Sequence, residues 1–272
     1  MPELPEVETV RRGIEGPLVG QRIVKTTVRD GRLRWPVDSQ LPALLANATV
    51  IAVRRRAKYL LIETDRGHLM VHLGMSGRLY FVDAATAVAK HDHIDWLLSD
   101  RKILRYTDPR RFGSVHWLAG AEARHSLLDN LGPEPLSAEF DGDYLFRRSR
   151  KRSAAVKTYI MDGRIVVGVG NIYANEALFR AGIRPTSAAG SISRARYVKL
   201  ATCIQTVLGE AIAQGGTTLK DFLGGDGKPG YFKQELAVYG RGGLPCPGCQ
   251  ATLLELRLGQ RATVFCKRCQ RP

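Results

Sequence analysis

Residues 131–137, Leu-Gly-Pro-Glu-Pro-Leu-Ser, divide the 272-residue chain into two parts with different sequence patterns. Two prolines and a glycine in this short stretch interrupt helix and strand periodicity, which indicates a boundary between domains. Short β-rich runs precede the boundary, and helical patterns follow it. We therefore predict an α+β multidomain protein with a first domain at 1–130, a linker at 131–140 and a helical domain at 141–237.

The part before the boundary contains strand-like runs separated by turn-forming residues. Eight short strands at this spacing predict a β-sandwich or a β-barrel. The predicted strands are 22–28, 49–53, 59–63, 68–73, 78–82, 93–98, 102–106 and 114–118.

Helical periodicity marks the N-terminus and most of the second part. Val7, Val10 and Ile14 fall on one face of a helix, and Gly13 and Gly16 are predicted to end that helix. Beyond the boundary the predicted helices are 141–148, 153–162, 171–181, 193–214 and 218–223.

The chain is strongly basic, with 41 Lys and Arg against 26 Asp and Glu and a net charge of +15. This balance indicates a polyanionic partner, and nucleic acid is favoured over a membrane surface because no long basic amphipathic helix is evident. A structural nucleic-acid binder stays open at this point. The sequence has neither a long apolar stretch nor a signal peptide, so we expect a cytoplasmic protein with no membrane partner.

Four of the five cysteines form two Cys-x-x-Cys pairs, Cys246/Cys249 and Cys266/Cys269, with sixteen residues between the pairs. Four thiolates at this spacing suit one tetrahedral Zn²⁺ held by a hairpin at 238–272. Disulfides are the alternative, and a cytoplasmic setting disfavours them. Because four protein ligands leave no open position, the predicted zinc is structural.

The chain begins Met1-Pro2-Glu3. Removal of Met1 would leave Pro2 as a free secondary amine, and an α-amino group has a pKa near 7.7–8.0, so part of it is unprotonated at neutral pH. Such an amine forms Schiff bases with electrophilic carbon. The alternative interpretation is a helix start, where proline and acidic residues are both favourable.

Further motifs suit contact with nucleic acid. Met75 and Phe112 lie in glycine-containing turns, where they could fill the space left by an extruded base, although each could equally be a core contact. The turn at 168–170 opens onto a helix at Asn171, an arrangement that binds phosphate or simply caps the helix. The glycine-rich stretch 224–230 is either a loop that closes over a ligand or simply a linker.

Taken together, these motifs resemble the bacterial formamidopyrimidine-DNA glycosylases, which remove 8-oxoguanine and ring-opened purines. The resemblance implies an N-terminal catalytic β-sandwich with an N-terminal helix, then a helix-two-turn-helix domain with a zinc-finger β-hairpin. It also implies a monomer that binds double-stranded DNA containing oxidised purines. The matching segments are 2–10, 55–60, 72–77, 90–93, 106–113, 168–176, 215–220 and the zinc hairpin.

The same resemblance implies catalytic roles for four residues. Pro2 would be the nucleophile that attacks the sugar C1′, and Glu3 would be the acid/base. Lys58 would donate the proton in β-elimination, and Arg261 would do so in δ-elimination.

The resemblance also implies a set of DNA contacts. The base-stack wedge would consist of Met75, Arg110 and Phe112, with Arg110 facing the orphaned cytosine. One departure is Ser153, which stands where relatives often carry a lysine, and we expect Arg152 to substitute for that charge. The remaining predicted phosphate contacts are His91, Lys157, Asn171 and Tyr239.

Two alternatives compete with this interpretation. Endonuclease VIII shares the proline chemistry and prefers oxidised pyrimidines, but it typically has glycine where Leu4 stands and has different wedge residues. A zinc-stabilised nucleic-acid binder without catalysis is disfavoured by the intact Pro2, Glu3 and Lys58.

Overall fold

The computed structural model describes residues 2–120, 122–215 and 236–272. These residues form two compact units, the first containing the residues through Asp129 together with Gly215, and the second containing 130–214 and 236–272. Met1, the predicted helix at 218–223 and the glycine-rich stretch at 224–230 lie outside the described residues.

The first unit is a β-sandwich of two antiparallel four-stranded sheets with the strand orders β1-β6-β7-β5 and β2-β3-β4-β8. Apolar side chains from both sheets form one core. All eight predicted strands are therefore confirmed, and the sandwich is confirmed over the barrel. The strands are β1 Ile23–Val28, β2 Val50–Arg56, β3 Tyr59–Thr64, β4 Gly67–His72, β5 Arg78–Asp83, β6 Asp92–Leu98, β7 Lys102–Thr107 and β8 Ser114–Ala119.

Helix α1, Leu4–Leu18, packs against β2, β3 and β5 and contributes to this core. The prediction that Gly13 and Gly16 end the helix was wrong. Ile14 is 0% exposed and Leu18 is 1% exposed. Their burial outweighs the cost of an interior glycine, which is about 1 kcal/mol. Two short helices, α2 Leu41–Leu45 and α3 Ser126–Asp129, were not predicted because they are too short to show a period.

The second unit is built around helix α7, which packs against α4 and α6. Asp141 caps α4 and Ser193 caps α7. The helix predicted at 153–162 is shorter, because Ala155 is extended and bridges to Ala188. The elements are α4 Gly142–Ser149, α5 Val156–Ile160, α6 Asn171–Ala181, a 3-10 helix at Ala189–Ser191, α7 Arg194–Ala213, β9 Leu254–Leu258 and β10 Arg261–Phe265.

No helix in the described ranges is long and apolar enough to cross a membrane.

A buried ion network joins β6 and β7. The guanidinium of Arg105, 2% exposed, donates to Asp95 at 2.9 Å and to Asp92 at 3.1 Å, and Arg29 donates to Asp95 at 2.6 Å. Burial opposes ionisation of Asp95, but the hydrogen bonds from Arg105 and Arg29 hold its pKa below the usual range. Asp92 also accepts from the Ala89 N–H, so the network fixes the loop before β6.

Removal of the Arg105 charge is expected to destabilise the first unit severely. Arg105→Met removes the cation shared by the buried Asp92 and Asp95 and leaves Asp95 only its pair with Arg29, so the free energy of unfolding should fall by about 3–5 kcal/mol. The matched control is Arg54→Met, because Arg54 is exposed and pairs with Glu63, and its loss should cost about 1 kcal/mol or less. Urea denaturation measures both values, and equal effects would contradict the structural role of the network.

Candidate active site and nucleic-acid interface

The N-terminal residues singled out in the sequence are held at the start of α1. Pro2 is buried, and Glu3, 2% exposed, is the N-cap residue of the helix. The carboxylate of Glu6 accepts the Glu3 N–H at 2.8 Å in a capping box. This hydrogen bond fixes the peptide unit between Pro2 and Glu3.

Lys58 lies in the two-residue turn between β2 and β3, where Ala57 has a φ of 55°. The guanidinium of Arg55 stabilises this turn by donating to the Ala57 carbonyl at 2.9 Å. Arg55 also donates to Glu8 at 3.1 Å, and Glu8 lies on α1. The half-buried Lys58 is thus tied, through Arg55, to the helix that carries Pro2 and Glu3.

Glu8 is the anchor of this connection. Burial opposes its ionisation, but hydrogen bonds and charge from Arg11, with hydrogen bonds from Arg12 and Arg55, hold the pKa of Glu8 below its usual value. The carboxylate is therefore ionised at neutral pH and pairs with Arg55 at 3.1 Å.

Asp108, 0% exposed, joins the two loops that carry the predicted wedge residues. One carboxylate oxygen accepts from the Ser76 hydroxyl at 2.7 Å, and the other accepts from the Gly113 N–H at 2.9 Å. The Ser76 hydroxyl in turn accepts from the Arg110 N–H at 3.2 Å. The loop with Met75 and the loop with Arg110 and Phe112 therefore form one connected structure.

Glycines allow these loops to touch through their backbones. Gly74 has a φ of 63°, and a Cβ at this position would overlap the backbone of Phe112 and Gly113. Met75 beside it is half-buried. Phe112 is 46% exposed, and the Arg110 guanidinium carbon lies 4.8 Å from its ring centroid. The Phe112 ring and the arginine over it are therefore accessible to a partner.

His72 supports the same region in its neutral form. Its Nδ1 accepts from the Gly74 N–H at 3.0 Å, which requires that nitrogen to be unprotonated. Burial, with the positive charges of Lys58 and Arg34, lowers the pKa of His72 to about 4.

His91 is half-buried, and its carbonyl accepts from the Asp108 N–H at 3.1 Å.

The four paired cysteines of the second unit form a metal site. All four Sγ atoms lie within 4.8 Å of one another, with Cys246 to Cys269 at 3.8 Å and Cys249 to Cys266 at 3.5 Å. Tetrahedral Zn²⁺ with Zn–S bonds of about 2.3 Å separates its sulfurs by about 3.8 Å. A disulfide would need about 2.05 Å, so the arrangement fits one structural zinc ion.

The zinc hairpin is attached to the end of α6. Gln270, 0% exposed, accepts from the Cys266 N–H at 2.9 Å and donates to the Ile183 carbonyl at 2.9 Å. Phe179 of α6 also packs against the apolar cluster around the cysteines. Zinc binding therefore stabilises the position of β9 and β10 relative to α6.

Arg261 begins β10 and is exposed. The turn before it, Gly259-Gln260, has positive φ at both residues, as a tight hairpin turn requires. Behind it, Asn175 accepts the Val264 N–H at 2.9 Å. Strand β10 is thereby fixed against α6.

Lys157 gives β10 a second support. It is 1% exposed, and its ammonium donates to the Ala262 carbonyl at 2.8 Å and to the Thr263 hydroxyl at 2.7 Å. The sequence predicted a phosphate contact here. That contact would require the Lys157 ammonium to become exposed. In the structure the ammonium is buried and holds the strand that carries Arg261.

Glu176 holds the segment that contains Tyr239. Its carboxylate accepts from the Ala237, Val238 and Tyr239 N–H groups at 2.8 to 2.9 Å. Asn171, half-buried, is the first residue of α6 on the same helix.

The predicted residues at the start of the second unit lie on its surface. Arg152 and Ser153 are both exposed and precede α5. Neither makes a side-chain hydrogen bond or ion pair within the described residues, so both side chains are accessible to a partner.

Sequence reasoning missed the supporting residues. Glu8, Asp108 and Asn175 each lie within a quoted motif, but each has a partner that is distant in sequence: Arg55, Ser76 and Val264. An acidic or amide residue beside a predicted contact residue was the available signal.

Three family models match the chain: the formamidopyrimidine-DNA glycosylase N-terminal domain at residues 1–115, the formamidopyrimidine-DNA glycosylase H2TH domain at 131–222, and the zinc finger found in FPG and IleRS at 243–272. Formamidopyrimidine-DNA glycosylase of Stutzerimonas stutzeri (strain A1501) is 63% identical over 271 residues, which cover 100% of both proteins.

Two solved structures are similar to the chain. MutM (Fpg) of Thermus thermophilus has a TM-score of 0.87 and 37% identity, covering 99% of this chain and 98% of that one. Wild-type Lactococcus lactis Fpg (MutM), in complex with DNA containing N7-benzyl-Fapy-dG, has a TM-score of 0.91 and 33% identity, covering 100% of both chains. The similarity therefore extends over both units.

Neutralising Asp108 should separate the two wedge loops. In Asp108→Asn one carboxylate oxygen becomes an NH₂ group that cannot accept from its present donor, a loss of about 1–3 kcal/mol. We expect the Arg110 and Gly113 amides to exchange with solvent roughly tenfold to a hundredfold faster, measured by hydrogen exchange. Asp100→Asn is the control, because Asp100 is exposed and accepts from the Lys102 N–H. Unchanged exchange at 110–113 would contradict the proposed connection.

Loss of one zinc ligand should remove the metal and unfold the hairpin. Cys249→Ser leaves three thiolates, and we expect metal content to fall from one zinc per chain to nearly none, with loss of the β9–β10 signals by NMR. Cys203→Ser is the matched control, since Cys203 is half-buried on α7 and outside the cluster. Zinc content that falls equally in both variants would exclude the four-cysteine site.

Proposed function

The chain belongs to the formamidopyrimidine-DNA glycosylase family, and from this membership we propose that it is a bifunctional DNA glycosylase and AP lyase of base excision repair. Its substrates are 8-oxoguanine and formamidopyrimidines in double-stranded DNA. The observation that most supports this proposal is the burial of Pro2 and Glu3 at the fixed start of α1.

The first chemical step is a displacement at the sugar. After removal of Met1, the lone pair of the Pro2 nitrogen forms a bond to C1′, and the bond between C1′ and the base nitrogen breaks. The base leaves with a proton, and the Pro2 nitrogen loses its own proton. The C1′–O4′ bond then breaks as O4′ takes up a proton, so the nitrogen holds the sugar as a ring-opened iminium. We assign Glu3 the acid/base role, because it lies beside the nucleophile and is protected from bulk water.

The iminium makes strand cleavage possible, because it acidifies the C2′ proton. Loss of that proton together with the 3′ phosphate oxygen is β-elimination, and later loss of the C4′ proton together with the 5′ phosphate oxygen is δ-elimination. We assign Lys58 the proton-donor role in the first elimination. Arg261 is assigned the corresponding role in the second, and both side chains lie at tight hairpin turns that fix their backbones.

Base extrusion is assigned to Met75, Arg110 and Phe112. Extruding a nucleotide costs a few kcal/mol, and side chains that fill the vacated stack offset this cost. Insertion is more favourable when the wedge is already ordered. The Asp108 network supplies that order before DNA binds.

DNA affinity is assigned to a net charge of +15 and to particular phosphate contacts. Arg152 and Ser153 suit this role because they are exposed and lack partners within the described residues. The other assigned contacts are His91, Lys157, Asn171 and Tyr239.

We further propose that the chain is divided into domains at 1–130, 141–237 and 238–272, with a linker at 131–140. It acts as a monomer and is located in the cytoplasm.

Borohydride trapping tests the proposed activity. Full-length protein whose mass begins at Pro2 is incubated with duplex DNA containing 8-oxoguanine opposite cytosine, with sodium borohydride present. The iminium should be reduced to a stable protein–DNA adduct, and without borohydride the strand should be cleaved at the lesion. A duplex with guanine at the same position is the control.

Three other outcomes would contradict the proposal. Binding without any adduct would favour a non-catalytic DNA binder. An adduct only with thymine glycol would favour an endonuclease VIII specificity, and no binding at all would exclude both enzymatic interpretations.

A further inference from the structure

Arg34 and Trp35 form an exposed pair in the loop between β1 and α2. The Arg34 guanidinium carbon lies 4.7 Å from the centroid of the Trp35 ring, and Trp35 is 36% exposed. This arrangement parallels that of Arg110 over Phe112, where the corresponding distance is 4.8 Å. A guanidinium held over an aromatic face is attracted by the ring and is ordered before any ligand binds.

Arg34 differs from the arginines around it in having no acidic partner among the residues that the structure describes. Arg29 pairs with Asp95 at 2.6 Å, and both Arg32 and Arg111 pair with Asp30, at 2.9 Å and 2.5 Å. Within residues 2–120, 122–215 and 236–272, no carboxylate forms an ion pair with Arg34. Its charge is therefore available to an external anion.

The loop places Arg34 directly beside the wedge. The backbone N–H of Arg34 donates to the carbonyl of Gly113 at 3.1 Å, and Gly113 follows Phe112 in sequence. The ion pair between Asp30 and Arg111 fastens the same loop to the same segment. Leu33, 8% exposed, anchors the loop in the sandwich core.

Arg34 also contributes to the positive potential around Lys58. Burial is the main cause of the lowered pKa of His72, and the charges of Lys58 and Arg34 lower that pKa further. The charge of Arg34 likewise acts on Tyr59, the residue after Lys58. Arg34 is thus electrostatically coupled to the turn that carries the proposed proton donor.

We propose that Arg34 binds a phosphate of the DNA backbone next to the wedge, with Trp35 holding its guanidinium in place. This inference rests on the proposed function, because it requires DNA to approach the loops of Met75, Arg110 and Phe112. It adds a phosphate contact outside the set assigned above. Arginine suits the role because its planar guanidinium can donate two hydrogen bonds to one phosphate.

The alternative is a structural role in which Arg34 only covers the apolar face of Trp35. Under that alternative the charge of Arg34 would act on DNA no more than the charge of any exposed arginine in the loop. Arg32 provides the comparison, since it lies two residues away, is 81% exposed in its side chain and is neutralised by Asp30.

Equilibrium binding of the full-length zinc-containing protein separates these roles. The probe is a duplex with a tetrahydrofuran abasic analogue opposite cytosine. Its affinity is measured at KCl concentrations from about 50 to about 300 mM, because the salt dependence of the affinity reports the number of phosphate contacts. Arg34→Ala should weaken binding roughly tenfold at about 0.1 M salt and reduce the slope of log K against log salt by about 0.9. Arg32→Ala removes the same formal charge and should change neither value appreciably.

Further arms make each outcome decisive. Arg34→Lys retains the charge and should restore the slope, with affinity between those of wild type and Arg34→Ala. Equal behaviour of Arg34→Ala and Arg32→Ala would overturn the inference. The borohydride adduct tests the proposed function separately. Failure of the wild-type protein to form the adduct would overturn the proposed function, whereas Arg34→Ala should still form it when the protein is saturating.

Discussion

Burial of helix α1 is the constraint on which the proposed chemistry depends. Chain termini are usually poorly ordered, and a terminal amine on such a segment would be a badly positioned nucleophile. Here Leu4, Val10 and Ile14 are 0% exposed, and each buried side chain of this kind contributes about 1.5–3 kcal/mol relative to exposure. The capping box of Glu3 and Glu6 then fixes the first turn of this buried helix.

The other proposed functional groups are also held in place by supporting residues. The side chain with a proposed role is exposed or half-buried, and a buried or half-buried polar residue holds its backbone. Arg55 supports the turn of Lys58, and Asp108 supports the loop of Arg110. Lys157 supports the strand of Arg261. Because an unpaired buried polar group is costly, each of these supports has few alternative conformations.

The sequence predicted the regular elements well because their periods are local. The eight strands and helix α6 at 171–181 follow directly from alternation and helical spacing. The end of α1 could not be predicted, since the burial of Leu18 depends on the sheets against which it packs. The zinc site was predictable because its ligand spacing is itself a local pattern.

The residues that support the site could not be predicted, because their contacts are not local in sequence. Glu8 meets Arg55 across 47 residues, and Lys157 meets Thr263 across 106 residues. Nothing in the local pattern around Lys157 indicates that its ammonium bonds to a strand 105 residues away. Only the folded arrangement separates Lys157, which is 1% exposed, from an exposed residue such as Arg152.

The proposed covalent bond to Pro2 is tested most directly by locating the DNA on the peptide map. Protein trapped with borohydride on the 8-oxoguanine duplex is digested with nuclease and protease, and the modified peptide is sequenced by mass spectrometry. We expect the reduced sugar on the nitrogen of an N-terminal peptide that begins at Pro2, with the Lys58 peptide unmodified. A sugar attached to Lys58, or to a chain that retains Met1, would contradict the role of Pro2 as the nucleophile.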